Sequence, residues 1–367
     1  MKSIFSFSFI VFLFLCGCSN TDSSTNGDLN SKVAKKTDLE LSSLFGKVKC
    51  ITTKQSDAKM MFGEITIVNL LEFDSIVYDK SGFIVYSKNE DFENSITNES
   101  FYEYDKYHNR IKCIVNTIQE EGIERVTIKQ KYDKYMNEIE KISTRENIKS
   151  GIIDEVYSDT IKHYYRYDID GKILTEKAGD HRIERDYNNL GYLIKETKFI
   201  NDTIDYTRSY TYLNDSLLLA MTTFRNNKEV SKTEYEYDTL GRKIKERISN
   251  SYRSHVTEYR PNGEVFKITY SDGTEFISEK HKTIYTRPYS MAIKYHTPIR
   301  EEKNFDQYDN ILSQIWTYVT SSGNMEYIFN YEYQYDSHNN WIKQLQTIPY
   351  DREEKSYTIT TRAIEYY

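Results

Sequence analysis

One short phrase recurs along this chain, and it constrains the fold more than any other feature. In the copy Tyr235-Glu-Tyr-Asp-Thr-Leu-Gly-Arg-Lys-Ile, an aromatic residue and an acid lead into a small turn, and an alternating segment follows. Copies begin at Tyr78, Tyr104, Tyr132, Tyr167, Tyr187, Tyr237, Tyr259, Phe305 and Tyr335, with a decayed one at Tyr212. The steps between them are 26, 28, 35, 20, 25, 25, 22, 46 and 30 residues. Repeats of that length mark stacked arrays. Tyr235 and Tyr237 share one face of a strand because side chains alternate, and Glu234 and Glu236 take the other. Asp238 can accept a backbone N–H ahead of it, and Gly, Asn or Asp three residues on tolerates the left-handed region. Alternation then resumes, placing Ile244 and Ile248 on one face. Each copy is therefore a β-hairpin.

Composition sets the thickness of the wall. The chain has 34 Tyr and 17 Phe, yet only 38% hydrophobic residues and a mean hydropathy of −0.71. Aromatic rings must supply most of the apolar area, and tyrosine suits a sheet that is wet on one side. One hairpin alone would be marginal, but many in series can bury a continuous face. The expected fold is all-β: a long, curved antiparallel sheet of tandem hairpins, forming a solenoid or an open shell. The repeated unit resembles the YD repeat of rearrangement-hotspot (RHS) proteins and wall-associated proteins over roughly residues 70–345. That resemblance implies a β spiral, secretion and extracellular roles; large members wrap a C-terminal toxin. Here about ten units precede an AIEYY end, so the expectation is a sheet too short to close and without cargo. Small YD-repeat lipoproteins are the better match.

The beginning of the chain is read separately. An uncharged run from Ser3 to Leu15 follows Lys2, too short for the roughly 20 residues of a membrane-spanning helix but suited to an export signal. Leu15-Cys16-Gly17-Cys18 resembles the bacterial lipobox, which implies cleavage before Cys18 and lipidation of its thiol. Residues 1–17 are then a signal peptide, 18–38 a flexible Ser/Thr/Asn/Asp/Lys tether and 39–367 the hairpin array. Ser19, where retention signals carry Asp, implies an outer-membrane anchor facing either the periplasm or the cell surface.

Few residues point to chemistry. No HExxH, GxSxG, phosphate loop or zinc-spaced CxxC pair occurs, so neither a catalytic centre nor a metal or cofactor is expected. His108 and His338 fall in repeat turns as solvated polar residues. His281 and His296 bracket an insertion without the fixed spacing of metal ligands. Cys50 and Cys113 are a candidate disulfide in an oxidising compartment, provided the fold brings their Cα atoms within about 7 Å. The net charge of −7 and the interleaving of Lys and Arg with Glu disfavour nucleic acid. Two readings of function remain. The first is a binding or scaffold protein that presents aromatic residues to a polysaccharide or protein partner, with Tyr285, Tyr295, Trp316 and Trp341 as candidate contacts. The alternative is a glycan hydrolase whose carboxylate pair is assembled from distant strands.

Overall fold

The computed structural model describes residues 36–42, 44–214, 216–250, 254–349 and 355–367. The leader, Cys18 and most of the tether lie outside the described residues. From Val48 onward the alternating segments form strands in succession, with one short helix between the nineteenth and twentieth. The first eight are β1 (Val48–Met61), β2 (Glu64–Tyr78), β3 (Ile84–Asp91), β4 (Ile96–Tyr104), β5 (Arg110–Gln119), β6 (Gly122–Tyr132), β7 (Glu138–Lys149) and β8 (Ile152–Tyr167). Next come β9 (Ile173–Ala178), β10 (His181–Tyr187), β11 (Leu193–Ile200), β12 (Thr203–Leu213), β13 (Leu217–Arg225), β14 (Lys228–Tyr237), β15 (Lys243–Asn250) and β16 (His255–Tyr259). The series ends with β17 (Val265–Tyr270), β18 (Glu275–Glu279), β19 (Lys282–Thr286), β20 (Arg300–Phe305), β21 (Ile311–Thr320), β22 (Gly323–Tyr335), β23 (Trp341–Pro349) and β24 (Lys355–Tyr366). Among the described residues two short helices, α1 (Asp38–Leu41) and α2 (Tyr289–Tyr295), accompany them.

Every strand pairs antiparallel with its chain neighbours, and β1 also pairs with β24, from Val48 opposite Tyr366 to Ala58 opposite Tyr357. The sheet is therefore a closed 24-stranded barrel. This corrects the expectation of an open solenoid or shell too short to close. The repeat phrase marks one end of each hairpin, so counting phrases undercounts strands. The 46-residue step between Tyr259 and Phe305 holds an additional hairpin, β18–β19, whose turn at Lys280-His281 lacks the phrase, together with α2. At the usual strand spacing of about 4.8 Å, 24 strands give a perimeter of about 115 Å. A wall this thin has little interior, and Tyr78, Val48 and Cys113 are its largest fully buried side chains.

The turns explain the phrase. Asp238 Oδ1 accepts from the backbone N–H groups of Leu240 and Arg242, each at 2.9 Å, and Gly241 N–H donates to the Asp238 carbonyl at 3.0 Å. The same pattern recurs at Asp79, Asp105, Asp133, Asp168, Asn188, Asp306 and Asp336. The fourth turn residue has positive φ, but it is not always Gly, Asn or Asp: His108 at +61° and Met136 at +67° occupy it too. His108 is more than a solvated turn residue, since its ring stacks on Phe83 at 4.5 Å; His338 likewise stacks on Tyr366 at 4.0 Å.

Most turns are coupled to a neighbour by tyrosine. The hydroxyls of Tyr104, Tyr132, Tyr187, Tyr212 and Tyr237 donate to a carbonyl at or next to the start of the strand after the preceding turn, at 2.8–3.0 Å. Those of Tyr167, Tyr335 and Tyr366 reach instead the turn carboxylates of Asp133, Asp306 and Asp336. At all ten copies the ladder register shifts just before this aromatic residue, as between Glu236 and Tyr237. Such a bulge sharpens local twist and helps a sheet to curve and close. It also interrupts simple alternation: Ile248 sits opposite Thr233 on the tyrosine face, while Ile244, beside the bulge, is 37% exposed.

The barrel seam is the best-packed region. Val48, Ile51 and Tyr78 form a buried cluster with Leu39, Leu44, Ile76, Ile84, Ile364 and Tyr366 around them. Helix α1 is fixed there by a capping box between Thr37 and Glu40 and by a bond from Leu39 N–H to the Gly82 carbonyl at 3.0 Å. Gly82 has φ of +88°, and a Cβ there would approach Thr37 Oγ1 to 3.1 Å, so both the turn and the close approach require glycine.

Candidate functional site

Alternation assigns every strand residue to one of two faces. The more buried face carries Tyr102, Tyr104, Tyr165, Tyr167, Tyr235 and Tyr237 and is termed the tyrosine face. The opposite face carries ion pairs such as Glu103–Lys112 at 2.6 Å and Glu236–Arg247 at 3.1 Å. The tyrosine face is charged as well. Arg185 bridges Glu176 at 3.3 Å and Glu196 at 3.2 Å, and Arg208 joins Glu196 at 3.2 Å, linking β9 to β12. His163 lies 3.8 Å from both Glu138 and Glu176 and extends this row to β7. A bilayer-spanning barrel needs an apolar outward band and strands of about 9–11 residues. Here neither face is apolar, and β16, β18 and β19 have five residues each. Both features set this wall apart from that pattern. No helix among the described residues is long and apolar enough to cross a membrane.

Burial gives the tyrosines a measurable signature. It pushes the hydroxyls of Tyr165, Tyr210 and Tyr331 up to about 12, with Glu176 beside Tyr165 and Glu196 beside Tyr210 adding to the effect. In the unfolded chain they ionise near 10. The folded state thus favours the neutral phenol, a contribution fully present below pH 10 and lost as pH rises through about 12. Phenolate absorbance and circular dichroism followed together should show these tyrosines ionising only as the barrel unfolds in that window. Early ionisation without loss of structure would contradict their burial.

The candidate contacts divide. Tyr285 on β19 and Trp316 on β21 both lie opposite Glu301 on β20, one from each side, so they flank it on the tyrosine face. Two strand spacings, about 10 Å, separate them. Arg287 bonds Glu301 at 2.8 Å and the Pro298 carbonyl at 2.9 Å, with its guanidinium 4.3 Å from the centre of the Tyr285 ring. Phe329 meets the Trp316 ring edge-on at 4.8 Å, and Tyr327 lies opposite Trp316 on β22. The result is a half-buried strip of rings around a fixed Arg–Glu pair, next to α2. Tyr295 lies on α2 and is 57% exposed. Trp341 is elsewhere, on β23: Arg362 lies 3.3 Å from its ring centre and Tyr333 meets it edge-on, so it belongs to the wall near the seam. Burial pushes Arg362 down to about 10, although Tyr78, Tyr333 and Asp74 oppose the shift.

Sequence alone does not single out Arg287, Glu301, Tyr327 and Phe329, because only cross-strand register brings them to Tyr285 and Trp316. The candidate disulfide is corrected. Cys50 lies on β1 and Cys113 on β5, they point to opposite faces of the sheet, and no disulfide joins them. His281 is in the β18–β19 turn and His296 ends α2 at the opposite end of the barrel. Among the described residues, no group of three or more His, Cys, Asp or Glu side chains is arranged to hold a metal ion.

No known protein-family profile matches the chain, and no curated protein sequence matches it. Two solved structures show a distant likeness. The TcdB2-TccC3-TEV crystal structure is 12% identical, with 83% of this chain matched to 15% of that one at a TM-score of 0.33. A porin-like protein from Bacteroides uniformis is also 12% identical, with 87% of this chain matched to 96% of that one at a TM-score of 0.26.

Proposed function

We propose that this chain is an envelope lipoprotein of the YD-repeat kind, held by Cys18, whose barrel binds a glycan or protein partner without converting it. The leader and Cys18 support the anchor, and the ten-copy repeat supports the kinship. The observation that carries the binding reading is the pairing of Tyr285 and Trp316 on either side of the Arg287–Glu301 pair. Flat rings can stack on sugar rings while a fixed charge pair orients hydroxyl groups, and a half-buried aromatic strip serves a protein partner equally well. A glycan array with the soluble body from Asp38 onward tests the glycan arm. Binding should fall about tenfold or more in Trp316→Ala, in line with the roughly 1–3 kcal/mol of a lost stacking contact. Glycan binding that is indifferent to both Trp316→Ala and Tyr285→Ala would remove this site.

One observation favours the hydrolase alternative. Burial raises the carboxyls of Glu72 and Asp74, and Asp91 on β3 lies opposite Glu72. Raised carboxyls are what a general acid needs. Polymer turnover that disappears in Glu72→Gln would establish that reading; polymer left intact by the unmodified protein counts against it.

A further inference from the structure

The stagger between hairpins leaves several strands uncovered at the end of the barrel opposite the Asp turns, and β8 is the extreme case. Its residues Ile152–Lys162 pair with β7 on one side, from Lys149 opposite Ile152 to Glu140 opposite Lys162. On the other side, pairing with β9 starts only at His163 opposite Ala178. All residues from Ile152 to Lys162 are exposed. A strand of that length is about 36 Å long and presents a row of backbone N–H and C=O groups with no strand beside it. Shorter open edges occur at Glu64–Leu71 of β2 and Gly323–Phe329 of β22.

What distinguishes β8 is charge. Glu155, Tyr157 and Asp159 point to the tyrosine face, and with Glu124, Arg145 and Asn147 they line a shallow concavity of about 570 Å³. Glu124 is already paired with Arg145 at 3.1 Å. Glu155 accepts bonds from Asn147 and Tyr157, but among the described residues no cation pairs with it or with Asp159. On the opposite face Asp154 holds exposed Lys149 at 3.2 Å. The stretch thus carries three carboxylates against the single Lys162. A second copy of β8 matches less well: an antiparallel pairing centred on Tyr157 sets Glu155 against Asp159, one centred on Glu155 sets that acid against itself, and one centred on Ser158 gives a single opposite-charge pair, Asp154 with Lys162, and leaves Glu155 and Asp159 without a cation across from them.

We propose that the β8 edge accepts an extended, lysine- or arginine-bearing segment of another protein, which adds beside it as a further strand. Backbone bonds to Asp154–Lys162 supply the docking, and basic side chains four residues apart face Glu155 and Asp159. The site is separate from the Tyr285–Trp316 strip, so the two readings fail independently.

The test uses the barrel with that strip intact and three labelled ten-residue peptides, followed by fluorescence anisotropy. The first alternates Lys with Thr and Val, the second replaces Lys by Glu, and the third is the Lys peptide N-methylated at alternate backbone nitrogens. The Lys peptide should bind. The Glu and N-methylated peptides should bind at least about tenfold more weakly, as should the Lys peptide with the doubly substituted protein Glu155→Gln/Asp159→Asn. Sedimentation should show the free protein with its β8 edge unoccupied by another copy. Equal binding of the N-methylated peptide would reduce the effect to bulk charge, and no binding, or self-association lost in the double variant, would overturn the proposal.

Discussion

Proline at Thr360 is expected to destabilise the barrel by about 3 kcal/mol or more. Thr360 lies in β24, is 8% exposed, and is paired on both sides, with Gln55 of β1 and Gln344 of β23. Proline lacks the N–H that one of these ladders uses, and its ring crowds the other. Opening the seam would also expose the cluster of Val48, Ile51 and Tyr78 and create two strand edges prone to aggregation. Denaturant titration should show a large drop in midpoint. Proline at Ser158, which pairs only with Thr144 of β7, should cost markedly less because the barrel below it stays closed.

The second large effect is expected at Asp336. Its carboxylate accepts from His338 N–H at 2.8 Å and Asn340 N–H at 2.9 Å, and from the hydroxyl of Tyr366. Asn340 in turn bonds both the backbone N–H and the carbonyl of Phe45 at 2.8 Å. Asp336 and Asn340 together therefore join a turn, the last strand and the segment preceding β1. Asp336→Ala removes three acceptor contacts and should cost about 2–4 kcal/mol. Asp336→Asn should cost much less, because Asn188 makes the same two turn bonds, to Leu190 and Tyr192, at 3.0 and 2.9 Å. The pH dependence separates the two variants further. Burial works against ionisation of Asp336, but the Tyr366 hydroxyl and the Asn340 and His338 N–H groups outweigh it and hold the carboxyl below its usual range. Its contribution is complete above the unfolded value near 3.9 and disappears as pH falls through the lower folded one. The Asn variant should lose this part of the acid transition.

Much of the hairpin was legible because it is local. The face shared by Tyr235 and Tyr237, the opposite face of Glu234 and Glu236, and the Asp238 turn all follow from period-two alternation and from side chains that bond backbone within four residues. Closure was not legible, since Val48 and Tyr366 meet from opposite ends of the chain and neither carries a local mark of its partner. The bulge before each repeat tyrosine was also hidden, because an extra residue on one strand shows only when the facing strand is known. The same limit separated the candidate contacts: Trp316 and Tyr285 come together only through Glu301, while Trp341, identical in type, is taken into the wall by Arg362. Met136 shows a further limit, since a left-handed turn position was filled by a residue whose own preference argues against it.

Closure of the sheet by β1 and β24 is the claim on which the rest depends, and a cross-link tests it directly. Lys54 and Thr361 are directly opposite across that seam, where antiparallel partners have Cα atoms about 4.5–5.5 Å apart, within disulfide reach. In a Cys50→Ser background, Lys54→Cys/Thr361→Cys should form an intramolecular disulfide on mild oxidation and raise the unfolding midpoint. Thiols that stay free, or that link only one chain to another, would mean that the two strands do not meet and that the sheet is open.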